Sequence, residues 1–263
     1  MIGVITGTGG HALPGLERVV ARGIATRHGT AEVTLGRVAG VEVAHLSRHG
    51  VGHERLSHQV EHRAAIAAFA ALGVAGAVAT TVCGAVDPDL PLGGLVVFDD
   101  LHFPANRLPD GSACTLFTEP GERGRGHWIF DRPFAAPVRE ALLASARACG
   151  RPVRDGGTYG HVDGPRLNSR SEVRALAAAG VAAISQTGGP ETVLAGEAEI
   201  PFALLGFVTD HANGVRGQPT PVAALARLLS ESGGICAEVL AAALPAIAAA
   251  PRRPAGFVYR FDP

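Results

Sequence analysis

The sequence predicts a single α/β domain over residues 1–263, with a mixed, twisted sheet flanked by helices. Three observations carry that expectation. Short β-branched runs alternate along the chain with longer alanine-rich stretches of helical period. No stretch has the composition of a linker, and no internal repeat interrupts the alternation. Apolar residues make up 47% of the chain against 18% charged, enough to build one large core.

Taken in order, residues 2–5 form a short β-branched strand that runs into Gly7-Thr8-Gly9-Gly10. Residues 33–38 and 41–46 read as two strands joined by a tight turn at Ala39-Gly40. Ser57 is placed to cap a helix over residues 58–72, which Gly73 ends. Residues 74–81 and 95–98 are apolar strands; between them, residues 84–94 carry prolines and carboxylates and read as a loop. Residues 100–132 have little periodicity, and so long an irregular stretch in a compact domain is usually functional or at an interface. Helix is expected over 133–148 and 169–179, and strand near 158–162 and over 181–184. Residues 190–200 form a helix that opens on Pro190. An apolar strand over 202–209 ends at Asp210, and a last helical region spans 219–250 with a break at Gly233-Gly234.

Composition removes several function classes. The formal net charge is −1, so the chain lacks the basic field that a nucleic-acid partner requires. It contains no lysine, which excludes P-loop and Schiff-base chemistry; any bound anion must be held by arginine, histidine, hydroxyls and backbone N–H groups. Cys83, Cys114, Cys149 and Cys236 lie far apart with no C-x-x-C spacing and read as reduced thiols of a cytoplasmic protein. The opening residues lack the basic and long apolar regions of a signal peptide. Residues 235–250, interrupted by Glu238 and Pro245, read as too short for a membrane span, so no membrane partner is expected.

The chemistry-bearing residues collect at strand ends. The β-branched run 41–46 stops at Ser47-Arg48-His49-Gly50, a cationic turn with glycine beside it. Other strands finish in Gly7-Thr8-Gly9-Gly10, in Thr80-Thr81-Val82-Cys83-Gly84 and in Ser185-Gln186-Thr187-Gly188-Gly189. Ligands of open α/β sheets sit beyond strand ends, and glycine-flanked threonines with one arginine suit an oxyanion. Thr8, Arg48, His49, Thr81 and Thr187 therefore form a candidate phosphate site, although each Gly-Thr taken singly is no more than a turn. Gly7 to Ala12 also fits G-x-G-x-x-A, but Pro14 and Gly15 leave no helix there to face a pyrophosphate. His49, His53, His58 and His62 invite a metal reading, with His58 and His62 one helical turn apart. No H-E-x-x-H accompanies them, and His62 shares a stripe with Ile66 and Phe69; satisfied, partly buried histidines and no metal are the expectation. No G-x-S-x-G supports a serine hydrolase. Asp210, at the end of an apolar strand, is equally well read as a general acid or as a turn cap.

In combination, GTGG, RHG with a following histidine, TTVCGA, GPRLNSRSE, QTGGPETVLAGEA and VTD resemble the nucleoside phosphorylase superfamily. Within it the chain is most similar to the trimeric methylthioadenosine phosphorylase branch, over nearly its whole length. The resemblance implies a partly barrel-like sheet, a homotrimer, and no cofactor beyond inorganic phosphate as co-substrate. It implies phosphate contacts from Thr8, Arg48, His49, Thr81, the Val82 backbone and Thr187. Leu167 and Asn168 fall beside the base, and Asp210 faces the purine N7 and 6-substituent. His127 corresponds to a histidine that reaches the sugar 5′ end in a neighbouring subunit. Gln186 stands where the family has methionine beneath the ribose, and Ala212 where a second aspartate is expected. The implied reaction is phosphorolysis of a purine nucleoside in purine salvage, with Asp210 favouring a 6-aminopurine and Asn213 offering a route to a 6-oxopurine. An N-ribosyl hydrolase, a metal-dependent hydrolase and a non-catalytic nucleoside binder are the alternatives.

Overall fold

The chain begins in a strand buried at every residue, β1 (Ile2–Thr6). The computed structural model describes residues 1–10 and 12–261; His11, within the G-x-G-x-x-A stretch, lies outside them. Along β1, Ile2 and Val4 face one hydrophobic cluster and Ile5 faces another, the period of two expected of a strand covered on both sides. β1 pairs in parallel with β4 (Val41–Ser47) and with the start of β5 (Ala77–Ala85). β2 (Glu17–Thr26) and β3 (Gly29–Val38) form a hairpin that continues antiparallel onto β4.

On the other edge of β5, β12 (Phe202–His211) runs parallel along its full length. β12 also pairs antiparallel with β6 (Leu95–Val97), and β6 pairs parallel with β9 (Val153–Asp155). β5 changes partner halfway. Ala77–Ala79 lie beside β1, whereas Gly84 and Ala85 pair antiparallel with β11 (Val181–Ser185). Beyond β11 come β10 (Thr158–His161) and β7 (Asp100–His102). One edge of the sheet thus forks at Thr80 to Cys83, and strand ends from both arms converge there. β8 (Gly126–Ile129) and β13 (Phe257–Arg260) form a separate two-stranded sheet.

Helices cover both faces. α1 (His62–Ala71) and α4 (Gly188–Glu197) bury Ile66, Phe69 and Leu194 in one cluster with Ile5. α2 (Ala136–Ala148) and α5 (Val222–Ala249) bury Leu142, Leu240 and Leu244 in the other, against Ile2, Val4 and Phe207. α3 (Arg170–Ala178) starts on a capping box in which Ser169 Oγ accepts from the Glu172 N–H at 3.3 Å.

Several expectations need correction. The helix predicted from Ser57 starts at His62, because Ser57–Gln59 is one 3-10 turn and Val60 is extended (φ −78°, ψ 127°). His58 and His62 are therefore not neighbours on one helix. Gly84 and Ala85 belong to β5 and not to the loop that follows. α5 is unbroken at Gly233-Gly234; its 28 residues are long and apolar enough to cross a membrane, contrary to the shorter length expected. Leu228, Val239, Leu240 and Leu244 are buried in the core, so α5 lays one face on this domain and leaves the other, with Val222 and Arg227, exposed. The stretch 100–132 contributes β7 and β8 but is otherwise irregular.

Candidate active site

Arg48 follows β4 directly, and its backbone N–H donates to the Thr6 carbonyl at 3.1 Å, which holds it beside the end of β1. Its side chain is 1% exposed. Gly7 makes room for it: a Cβ there would stand 2.3 Å from Nη1. Nε and Nη2 donate to the two oxygens of Glu191 at 2.7 Å each, and Nη1 donates to the Thr80 carbonyl at 2.7 Å. Of the five guanidinium N–H groups, one on Nη1 and one on Nη2 are left for a ligand. Glu191, in the first turn of α4, is as buried as its partner. Burial pushes its carboxyl up, and the guanidinium opposes that push.

His49 lines the same cavity. Its Nδ1 donates to the Arg55 carbonyl at 2.9 Å, since a carbonyl only accepts, and its ring stacks on His53 with centroids 4.2 Å apart. Burial, then Arg48, lower its pKa to about 4, so the ring is neutral near pH 7. Thr81 Oγ1 lies 2.7 Å from Ser185 Oγ and donates to the Val82 carbonyl at 3.0 Å, tying β5 to β11. Thr187 is the N-cap of α4 but makes no side-chain capping bond, so its hydroxyl is left to the cavity at the positive end of that helix.

Asp210 lines the cavity near the end of β12, paired with Gly84 of β5. Its Oδ1 accepts from the Thr209 hydroxyl at 2.9 Å, which orients the carboxylate beside the backbone of Gly84. Asn213 Nδ2 donates to the Asn168 carbonyl at 2.7 Å, joining the segment after β12 to the loop before α3. Gln186, between the two ends, accepts from Ser57 Oγ at 2.7 Å and donates to the Arg166 carbonyl at 3.0 Å.

One cavity of about 290 Å³ gathers Thr8, Arg48, His49, Thr81, Val82, Leu167, Asn168, Gln186, Thr187, Asp210, Ala212 and Asn213. His127 is outside it, exposed on β8 with its ring edge-on to Phe261 at 5.3 Å. A more open depression of about 670 Å³ holds Asp87, Asp99, Arg132 and Arg154, but these are joined in ion pairs and no predicted residue lines it. Sequence reasoning missed Glu191 and Ser57 as parts of this site. Glu191 is 143 positions from Arg48, and nothing in a single sequence pairs two residues that distant. The expectation of satisfied histidines fails at His62, which is fully buried with no hydrogen bond to either ring nitrogen among the described residues. Among those residues no cluster suited to a metal ion is found.

Residues 1–245 match the model of the Phosphorylase superfamily. The chain is 32% identical over 251 residues to the 6-oxopurine nucleoside phosphorylase of Pyrococcus furiosus, covering 94% of this chain and 92% of that protein. It is 38% identical over 219 residues to the S-methyl-5′-thioadenosine phosphorylase of Mycolicibacterium smegmatis, covering 82% and 78%. A crystal structure of a double mutant of adenosine/methylthioadenosine phosphorylase from Schistosoma mansoni, in complex with adenine, superposes with a TM-score of 0.84. It is 26% identical and covers 95% of this chain and 93% of that one. With its forked sheet and the strand ends gathered at the fork, the chain belongs to the phosphorylase superfamily.

Proposed function

We propose that the protein cleaves the N-glycosidic bond of purine nucleosides with inorganic phosphate, giving the free purine and a ribose 1-phosphate or its 5-modified analogue. One observation carries this reading. A single cavity is lined both by anion donors and by a carboxylate with two side-chain amides, and Gln186 lines it as well. Thr8, Thr187, the Val82 backbone and the two spare N–H groups of Arg48 would receive phosphate, with Thr81 and His49 beside them. The anion is drawn mainly by oriented N–H and O–H dipoles and the α4 N-terminus, since Glu191 offsets the charge of Arg48. Glycosidic cleavage builds positive charge at the anomeric carbon; phosphate beneath the ring stabilises that charge and then attacks. Asp210 would give a proton to N7 as the glycosidic electron pair moves onto the base, so that the purine leaves neutral, with Leu167, Asn168, Ala212 and Asn213 around the ring.

A 6-aminopurine of the methylthioadenosine type is the first substrate to test, because Asp210 offers acceptor oxygens. A 6-oxopurine is the second, favoured by the N–H that Asn213 keeps free after bonding Asn168. Methylthioadenosine, adenosine and inosine should each be incubated with and without phosphate. Purine release that requires phosphate is expected; release that ignores it would mean an N-ribosyl hydrolase.

A homotrimer in which His127 approaches a neighbour's sugar completes the reading. It is supported by the exposed apolar side chains Ile129, Phe130, Phe257, Tyr259 and Phe261 on and beside the β8–β13 sheet. Light scattering should give three times the chain mass of 26.9 kDa, and a monomer at micromolar concentration would contradict it.

A further inference from the structure

Gln186 is held as firmly as a ligand-reading group needs to be. Its neighbour across the Nε2 hydrogen bond is the Arg166 carbonyl, which only accepts, and Ser57 must then donate to Oε1; the amide has one orientation. The backbone at Gly164 presses on the same pair, since a Cβ there would come 2.0 Å from Gln186 Oε1 and 2.2 Å from Ser57 Oγ. After these contacts the amide retains one acceptor lone pair on Oε1 and one N–H on Nε2.

The position of that spare pair follows from the chemistry. Phosphate attacks the carbon that carries the base, so the sugar must lie between the anion donors and the base pocket. Gln186 precedes Thr187 at the anion end, and its side chain reaches Arg166, beside Leu167 and Asn168 at the base end. An acceptor and a donor fixed side by side match two adjacent sugar hydroxyls, one donating and one accepting. Resting on the phosphorylase reading above, we propose that Gln186 reads the 2′,3′-diol and selects ribonucleosides over 2′-deoxyribonucleosides. A substrate without the 2′-hydroxyl leaves one polar atom of the amide unpaired under the ring, which a thioether at this position would not suffer.

The test is the ratio of kcat/KM for inosine over 2′-deoxyinosine, and for adenosine over 2′-deoxyadenosine, in the native enzyme and in Gln186→Met. The native ratio should exceed that of the variant by about tenfold, because the ribonucleosides lose both hydroxyl contacts and the 2′-deoxyribonucleosides only one. Ser57→Ala, which frees the amide without removing it, should lower the ratio in the same direction by a smaller factor. An unchanged ratio in Gln186→Met, or equal losses on both sugars, would overturn the inference while leaving phosphorolysis intact. Absence of phosphate-dependent cleavage of any of these nucleosides would instead remove the functional reading on which it rests.

Discussion

Arg48 meets a carboxylate before it meets any ligand, with Glu191 accepting from it at 2.7 Å through both oxygens. A single buried ion pair of this kind holds the fork in place more than it adds stability. Arg48→Ala leaves Glu191 unpaired where its side chain is 1% exposed, and should cost about 3–5 kcal/mol of folding stability together with most use of phosphate. Arg48→Met combined with Glu191→Leu should regain much of that stability in denaturant unfolding without regaining phosphate use. A double variant no more stable than Arg48→Ala would show that the lost charge pairing is not the cause. At the other end, Asp210→Asn keeps the side-chain shape and should reduce turnover of natural purine nucleosides by about a hundredfold. Substrates whose base leaves easily should be spared; equal losses on both kinds would remove Asp210 from leaving-group stabilisation. These individual roles were partly legible in the sequence. The threonines, Arg48 and Asp210 announce themselves at strand ends, whereas Glu191 and Ser57 act through partners 143 and 129 positions away.

The glycines of α5 show how an element far along the chain positions the first turn. A Cβ on Gly233 would lie 2.0 Å from the Gly9 carbonyl oxygen, while one on Gly234 meets nothing within 4 Å. The pair that suggests a helix break is therefore a contact surface at Gly233 and a plain helical glycine at Gly234. Gly233→Ala should push away the turn that carries Thr8 and raise the KM for phosphate by between about tenfold and a hundredfold. Gly234→Ala should leave that KM alone and stabilise the protein by about 0.5–1 kcal/mol. Identical kinetics in the two variants would show that α5 does not hold the turn. Elements such as α2 and β12 were legible, α2 as a helical stretch and β12 as a continuous apolar run. β2 was not, because it is exposed along nearly all of its length and so carries no alternation of apolar and polar residues. The fork at β5 was also hidden, since a change of strand partner leaves no mark on the strand's own residues.

At the scale of the whole molecule, buried histidines make folding sensitive to acid. Burial lowers His45 to about 4 and His161 to about 3, and burial with Arg48 lowers His49 to about 4, all from 6.5. Between those values and 6.5 the unfolded chain binds more protons than the native one. Stability is therefore fully present above pH 6.5 and falls as the pH drops toward 4, by up to about 1.4 kcal/mol per pH unit for each histidine. His161 Nδ1 has no hydrogen-bond partner among the described residues, so His161→Leu should flatten the slope of the denaturant midpoint between pH 7 and 5. A slope unchanged in that variant would place the acid sensitivity elsewhere.

The central claim is that phosphate, and not water, attacks the sugar in the cavity built at the fork of the sheet. The most direct measurement is the origin of the oxygen left on the anomeric carbon when a purine nucleoside is cleaved in the presence of heavy-oxygen-labelled phosphate. Label retained between sugar carbon and phosphorus in the product is expected. An anomeric oxygen drawn from unlabelled water, with the phosphate label left in free phosphate, would contradict it.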